Sequence, residues 1–487
     1  MRINKKRVLV FGINSHPELT GIGKYTGEMV NWLLEEGHSV TLVTSFPYYP
    51  YWKVQKPYNG NFYQKEVSND GKLITYRCPL YVPAQPNGLK RQLHEASFFL
   101  SSFMMTLLLL FKKKHDFSIS VAPPFFIGFL GLLYKFFKGT PTVYHVQDLQ
   151  IDAAKELGIL KRKWIFNLLF RLESDILTRA DIVSTISEGM EEKIRSKVQR
   201  SIMLMPNWVD TDRFFPSTNI AEIKKRWGFV SSTKIVLYSG SIGEKQGLET
   251  LIQIAKDLRI HKDIVIIICG IGPFKEKLES LAQEAALSNL RFFPLQEINV
   301  FNEFMNIADV HLVLQKGHAG DLVMPSKLTT ILSVGGLALV TAWPETTLHN
   351  VLIKHKIGVV INPDDESLLK NSIIECCFSD YSVERRNARR YAVSNLNKEV
   401  ILSKLINSVE YSKRSLPVFQ IQKLPLLPAL TLRHKSTLFV RNQFPEGSPR
   451  YFEGAWRLFR GRHSQSSAFR RGVSTENHKK NGEIIGP

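Results

Sequence analysis

Ala308 to Ala342 is the stretch that most constrains what this chain can fold into. Ala308 to Leu314 is an apolar run of strand length. A polar loop follows, and Pro325-Ser326 then opens a helix. Proline suits a first helical position and serine is a good cap, so Lys327 is expected in the first turn. Gly335-Gly336 ends that helix, and Leu337 to Ala342 reads as the next strand. Open parallel α/β sheets bind their ligands where a strand's end meets the following helix start. Free N–H groups there suit a phosphate, and a nearby lysine adds charge. On spacing alone, a solvated helix lysine is an equally good reading of Lys327.

The same strand, loop and helix pattern recurs along the chain. Val8 to Ile13 and Val40 to Val43 read as strands around a helix that carries Met29, Leu33 and Leu34 and ends at Gly37. Gly21-Ile22-Gly23 lies in the connecting loop. It matches neither G-x-x-x-x-G-K-[ST] nor G-x-G-x-x-G, so phosphate contact and a plain tight turn both stay open. Further strands are expected at Ile119 to Pro123, Thr142 to Val146, Asp181 to Ile186, Lys234 to Ser239, Val265 to Cys269 and Leu290 to Pro294. Phe125 to Phe137 reads as a very apolar helix, and Ser187 as a helix cap.

The totals narrow the partners. A chain of 487 residues has room for two core domains and extras. Its formal net charge of +20 calls for an anionic partner: nucleic acid, a membrane surface or a phosphorylated substrate. The four cysteines include no C-x-x-C pair, which points to a reducing compartment without structural zinc. The apolar run Val8 to Phe11 is too short for a signal peptide. Phe98 to Phe111, followed by Lys112-Lys113-Lys114, is shorter than a spanning helix needs. It reads as a core helix or as one lying at a membrane surface. From Lys413 onward, fourteen Lys/Arg face four Glu in a Ser-, Pro- and Gly-rich stretch, expected to be a disordered tail.

Other residues are chemical candidates with structural alternatives. Phe46 to Pro57 is dense in aromatics and prolines. Tyr48, Tyr49 and Trp52 suit a sugar or lipid acceptor, or else pack their own loop. His145 and Asp148 stand at a strand's end. Asp210-Thr211-Asp212 invites a metal reading, but a connection between domains fits it better.

Several of these segments, in this order, resemble family 4 of the retaining GT-B glycosyltransferases. They are P-E-L-T-G-I-G-K-Y-T, V-Y-H-V-Q-D, P-N-W-V-D-T-D-R-F and P-S-K-L with its helix and G-G. The resemblance runs from about Arg7 to about Tyr411 and is nearest to exopolysaccharide enzymes of the colanic acid type. It implies an α/β GT-B fold of two doubly wound, Rossmann-like domains facing a cleft. Residues 1–210 would bind acceptor and 211–384 the nucleotide sugar. Residues 385–412 would form a helix returning to the first domain, with the tail at 413–487.

The implied reaction moves a sugar from a nucleotide diphosphate sugar to a hydroxyl with retained configuration, without metal or cofactor. GDP-fucose is the implied donor, and a lipid-linked exopolysaccharide intermediate the acceptor. The implied place is the cytoplasm, with peripheral attachment to the inner membrane face. By the resemblance, Gly21, Gly23, Gly240, Glu244, Lys245, Gln246, Asp321, Ser326, Lys327 and Thr330 would meet the donor. His145 would line the cleft beside the transferred sugar, and Tyr48, Tyr49 and Trp52 would meet the acceptor.

The sequence also departs from the family pattern. Gly240-Ser241-Ile242 and Gln246-Gly247 replace the segments that usually carry an Arg and a Lys on the diphosphate. Asp321 stands near the first of two usual glutamates, Thr330 replaces the second, and Trp208 replaces a hinge glycine. These departures keep a nonenzymic GT-B-like scaffold open. A basic nucleic-acid-binding protein is the other alternative, although no nucleic-acid motif is present.

Overall fold

The computed structural model describes residues 5–18, 21–156, 162–315 and 325–415, without the side chains of Lys245 and residues 413–415. Asp321 lies outside the described residues, as does the tail from residue 416 onward.

The first sheet has eight strands: β1 (Arg7–Gly12), β2 (Ser39–Ser45), β3 (Gln64–Ser68), β4 (Leu73–Cys78), β5 (Phe117–Ala122), β6 (Thr142–Val146), β7 (Ile182–Thr185) and β8 (Met203–Leu204). Their order is β3-β4-β2-β1-β5-β6-β7-β8. Neighbours run parallel except β3 against β4. Its helices are α1 (Gly21–Glu35), α2 (Gly88–Leu110), α3 (Gly128–Lys138), α4 (Gln150–Glu156), α5 (Lys163–Arg179) and α6 (Glu188–Lys197). The central strands are apolar on both faces, as a sheet covered on both sides requires. Leu9 and Phe11 of β1 face a core shared with Phe98 of α2, Leu130 of α3 and Ile176 of α5. Val8 and Val10 face Met29 and Leu33 of α1.

The second sheet is all parallel: β9 (Lys234–Ser239), β10 (Ile264–Cys269), β11 (Leu290–Phe293), β12 (Val310–Val313), β13 (Ala338–Thr341) and β14 (Val359–Ile361). The order β11-β10-β9-β12-β13-β14 reverses at β9, a switch point of the kind where doubly wound sheets take ligands. Around it lie α7 (Ile220–Arg226), α8 (Thr250–Asp257), α9 (Lys275–Glu284), α10 (Ile298–Asn306), α11 (Ser326–Ser333), α12 (Thr347–His355), α13 (Glu366–Phe378) and α14 (Ser382–Asn395). A last helix, α15, spans Lys398–Ser415.

The two sheets are joined twice. Trp208 packs in the first domain's core and Val209 in the second's. Val209 N–H donates to Leu396 O (2.8 Å), and Lys398 N–H to Val209 O (3.0 Å). Asp210 faces Lys398 Nζ at 3.3 Å and accepts from the N–H groups of Asp212 and Arg213, so its carboxylate holds the crossover together. Ala388 and Ala392 of α14 pack on the second domain, whereas Ile401, Leu402, Leu405 and Val409 of α15 pack on the first. The single returning helix read from the sequence is therefore two helices, broken at Leu396-Asn397.

Three local readings change. Gly21 to Gly23 is the first turn of α1 and not a loop. Ser326 is the first residue of α11, and Pro325 sits at the cap position without a side-chain cap bond. Finally, α2 begins at Gly88, ten residues before the apolar run, with Asn87 Oδ1 accepting from Lys90 N–H as its cap.

Candidate active site

The switch point of the second sheet is built around Lys327. Its place in the first turn of α11 sends the side chain back toward the loop after β9. There Nζ lies 3.7 Å from the centroid of the Tyr238 ring, and the Tyr238 hydroxyl donates to Ser241 O at 2.6 Å. A Cβ on Gly240 would stand 3.5 Å from Nζ. The ammonium is sealed from solvent and has no hydrogen-bond partner among the described residues. Desolvation pushes its pKa down to about 7. A buried cation left without an anion is costly, so the site is poised for one.

The loop beneath Lys327 is held by close backbone contact. Gly240 N–H donates to Cys269 O (3.0 Å), and Ile242 N–H to Ile271 O (2.9 Å). At Gly270 (φ +156°) a Cβ would meet Gly240 O at 1.9 Å, so no side chain fits there. Gln246 is committed to this loop, its Oε1 accepting from Gly243 N–H at 3.1 Å. Glu244 is exposed, and the side chain of Lys245 is outside the described part. Thr330 is buried, and Ser326 is exposed at the helix start.

The first domain reaches this site through α1. Tyr25, fully buried, turns its hydroxyl toward Ser326 and Thr329 of α11 without completing a hydrogen bond among the described residues, and burial pushes its pKa up. Behind it stands Trp208, edge-on at 5.3 Å, with Nε1–H donating to Glu28 Oε2 (2.9 Å). Trp208 thus backs the side chain that α1 turns toward α11.

Glu18 ties the start of α1 to the aromatic loop. Its Oε1 accepts from Tyr48 N–H (2.9 Å) and Tyr49 N–H (2.8 Å), and its Oε2 from Asn14 Nδ2 (2.8 Å). Gly23 makes room for it: a Cβ there would lie 2.8 Å from Glu18 Oε2. Despite these bonds, burial holds the Glu18 pKa above the ordinary carboxylate value. Tyr48 is only 5% exposed and packs edge-on to His94 at 4.6 Å. It supports the loop from inside, while Tyr49 and Trp52 are half-buried.

His145, 2% exposed, sits near the end of β6 with Nδ1 2.9 Å from Ser184 Oγ. Its Nε2 is buried and has no partner among the described residues. Burial lowers its pKa to about 4, so the ring is neutral at physiological pH. Nearby in the same domain, Glu95 accepts from Gln150 Nε2 (2.8 Å), and Gln150 Oε1 accepts from Phe125 N–H (3.1 Å). Desolvation, with Asp148 adding like charge, raises the Glu95 pKa to about 7.

Comparison with known proteins identifies the family. Residues 20–208 match the family model "Glycosyl transferase 4-like domain", and residues 219–393 match "Glycosyl transferases group 1". The chain is 40% identical over 413 residues to WcaI of Escherichia coli (strain K12), named as a colanic acid biosynthesis glycosyl transferase; the match covers 83% of this chain and 99% of WcaI. The chain belongs to family 4 of the GT-B glycosyltransferases. Solved structures share the fold at low identity. Sucrose-phosphate synthase from Thermosynechococcus elongatus superimposes with a TM-score of 0.63 at 15% identity, over 85% of this chain and 100% of its own. HepE of Anabaena, solved with UDP and glucose, gives 0.58 at 13%, over 83% and 100%. WaaG, a glycosyltransferase involved in lipopolysaccharide biosynthesis, gives 0.56 at 16%, over 82% and 99%.

As a GT-B glycosyltransferase, the protein brings Lys327, Gly240 and the head of α11 together at one switch point. Glu18, Tyr25, Glu95 and Tyr238 were not singled out in the sequence as site residues. Tyr238 carried a local signal, since it is the last residue but one of a strand and directly precedes Ser239-Gly240. The roles of Tyr25 and Glu18 depend on contacts from distant segments, which no local pattern reveals.

Proposed function

We propose that this glycosyltransferase moves a sugar from a nucleotide diphosphate sugar to a lipid-linked exopolysaccharide intermediate of the colanic acid type, with retention of anomeric configuration. The sealed, unpartnered ammonium of Lys327 at the head of α11 carries this reading. A diphosphate there would restore the missing counter-charge and meet the free N–H groups of the first helical turn. The relationship to WcaI supports the pathway. The UDP and glucose bound by HepE support a nucleotide sugar as the donor class. The choice of a GDP-linked sugar, with GDP-fucose the first candidate, rests on sequence resemblance alone.

In the proposed reaction the bond from the anomeric carbon to the diphosphate oxygen breaks, and the acceptor oxygen bonds to that carbon on the same face. The acceptor's proton passes to the departing diphosphate. Charge grows on the leaving oxygens, where Lys327 and the α11 N–H groups stabilise it without a metal. Neutral His145, with Nε2 free to bond, is assigned to the sugar end, and Trp52 and Tyr49 to the acceptor side.

A panel of GDP-, UDP- and ADP-sugars read by thermal shift tests the donor reading. At least one should raise the Tm of the wild-type protein and not that of Lys327→Ala. A folded protein that responds to none of them contradicts the proposal.

A further inference from the structure

Helix α2 has two apolar faces, and only one belongs to the core. Phe98, Met105 and Leu109 point inward. Ser102 and Thr106 on that side return their hydroxyls to carbonyls one turn back, at 2.7 Å each. The other stripe consists of Leu89, Leu93, Leu100, Met104 and Leu108, continued by Phe111 just past the helix end. Spacings of three, four and seven put these residues in one row along the helix. All are exposed, Leu100 by 63% and Phe111 by 89%. The apolar run read from the sequence therefore splits. Phe98, its first residue, is core, and the outward row begins nine residues earlier.

Neighbouring helices extend the row. The ends of α2 and α3 are tied together, Lys138 Nζ donating to Lys112 O (2.9 Å) and Lys114 Nζ to Gly139 O (3.1 Å). Exposed Phe136 and Phe137 in the last turn of α3 thus join Phe111 at one end. Beyond α3, α5 packs against it and shows Trp164, Leu168 and Leu172, spaced by four residues. An exposed apolar surface spread over three adjacent helices is more than scattered surface leucines.

The charge around it has one sign. Lys90 flanks the row at the start of α2, exposed Lys112 and Lys113 at its end, and Lys163 and Arg171 on α5. The only carboxylate in the sequence of α2, Glu95, is bonded to Gln150, and α3 has none. On α5, Asp175 is paired with Arg179, and Glu173 is buried against Lys197. A basic rim around an apolar centre fits an anionic lipid surface: the apolar side chains enter between headgroups and the lysines stay at phosphate level. A second copy of the chain would set like charges against each other, and the basic tail has the same sign.

We propose that the outer face of α2, α3 and α5 docks on a bilayer containing anionic lipid, lying flat on it with no helix crossing. At 23 residues α2 is long and apolar enough to cross a membrane, unlike the run read from the sequence, but its inward face is core, and lying flat keeps that face packed. This deepens the functional reading, because it brings the acceptor-binding domain to the leaflet that would hold a lipid-linked acceptor. The docking needs neither donor nor acceptor, so it stands or falls separately from the chemistry.

The test is flotation of the full chain with phosphatidylcholine vesicles, with and without phosphatidylglycerol. Three variants accompany the wild type: Leu100→Glu with Leu108→Glu, Phe136→Glu with Phe137→Glu, and Lys112→Gln with Lys113→Gln. These side chains are outside the core, so circular dichroism and Tm should match wild type. Hydrogen exchange on the wild-type protein supplies a measurement that needs no variant. Binding should require phosphatidylglycerol and weaken with salt. It should fall at least tenfold in each variant and protect backbone amides along α2 and the start of α5. Absence of binding, equal binding to neutral vesicles, or full binding by all three variants would overturn the proposal; the last would move the contact to the tail. Self-association through this face without vesicle binding would also overturn it and make a second copy the occupant.

Discussion

Lys327 Nζ stands 3.7 Å above the Tyr238 ring with no hydrogen-bond acceptor among the described residues. An aromatic face is a partial substitute for an anion. The pair holds a cation ready at the switch point of the second sheet. Replacing Lys327 with Ala should remove a charge-assisted contact of about 1.5–3 kcal/mol, roughly 10–150-fold in donor affinity or rate. Lys327→Met should do the same to binding and yet raise the Tm of the unliganded protein, because it removes a buried charge and keeps the volume. Calorimetric titration and thermal melting measure both.

The same lysine sets a pH dependence. Its pKa falls from the ordinary 10.5 to about 7 in the empty site. Its protonated form is the one that binds a diphosphate. Below about pH 7 the site is already charged, and affinity should be level. Above it, binding must take up a proton, and affinity should fall by up to about tenfold per pH unit until the pKa of the complex is reached. For stability the sign is opposite. A depressed lysine pKa gives stability that is full above the unfolded value and is lost as pH falls toward 7. The Tm advantage of Lys327→Met should therefore be present at neutral pH and shrink as pH approaches 10.5.

His145 should behave as a neutral hydrogen-bonding group. With its pKa held at about 4, it adds no inflection near pH 6.5 to the rate profile. His145→Ala should lower kcat by roughly 2–13-fold, the value of a neutral hydrogen bond of about 0.5–1.5 kcal/mol, and leave nucleotide affinity nearly unchanged. Loss of nucleotide affinity to the same extent would return His145 to a purely structural role.

Glu95 should give the rate profile a limb near pH 7, where its buried carboxyl titrates. A raised carboxyl pKa leaves more of the protonated form at neutral pH, so Glu95→Gln mimics the acidic side of that limb. In the variant the fall in kcat/KM that Lys327 sets above about pH 7 should remain, while kcat at saturating donor should be flat across pH 6 to 8. A kcat profile that keeps its limb near pH 7 in the variant would dissociate Glu95 from the reaction.

Gly270→Ala should damage the donor loop although it adds one methyl group. That carbon would sit 1.9 Å from Gly240 O, and the backbone is in a glycine region at φ +156°. Overpacking of this kind costs about 1–3 kcal/mol, occasionally more. A lowered Tm together with weaker nucleotide binding is the expected outcome. The pair is read by thermal melting with and without nucleotide.

The architecture was legible because parallel strands buried on both faces write themselves as apolar runs, and glycines punctuate their ends. Val8 to Ile13, Lys234 to Ser239 and Leu337 to Ala342 fall on strands for that reason. Helix starts were less legible. The first turns of α2, from Gly88 to Ala96, separate Leu89 and Leu93 by Lys90, Arg91 and Gln92 and so carry no apolar run. Gly21 to Gly23 looked like a loop because glycine is a poor helix former, yet tertiary packing against Glu18 holds it in helical form. Lys327 was visible as a position but not as a sealed, orphaned cation, since that depends on Tyr238 and Gly240, nearly ninety residues away. Glu18, joined to Tyr48 and Tyr49 across some thirty residues, was hidden for the same reason.

The most direct test is the initial rate of nucleoside diphosphate release from GDP- and UDP-sugars, with and without a lipid-linked saccharide acceptor, for the wild type and Lys327→Ala. Release should occur with at least one donor, depend on the acceptor, and fall by roughly 10–150-fold in the variant, matching a lost charge-assisted contact. No release from any donor by a folded wild-type protein, or equal rates in the two proteins, would contradict a donor diphosphate held at Lys327.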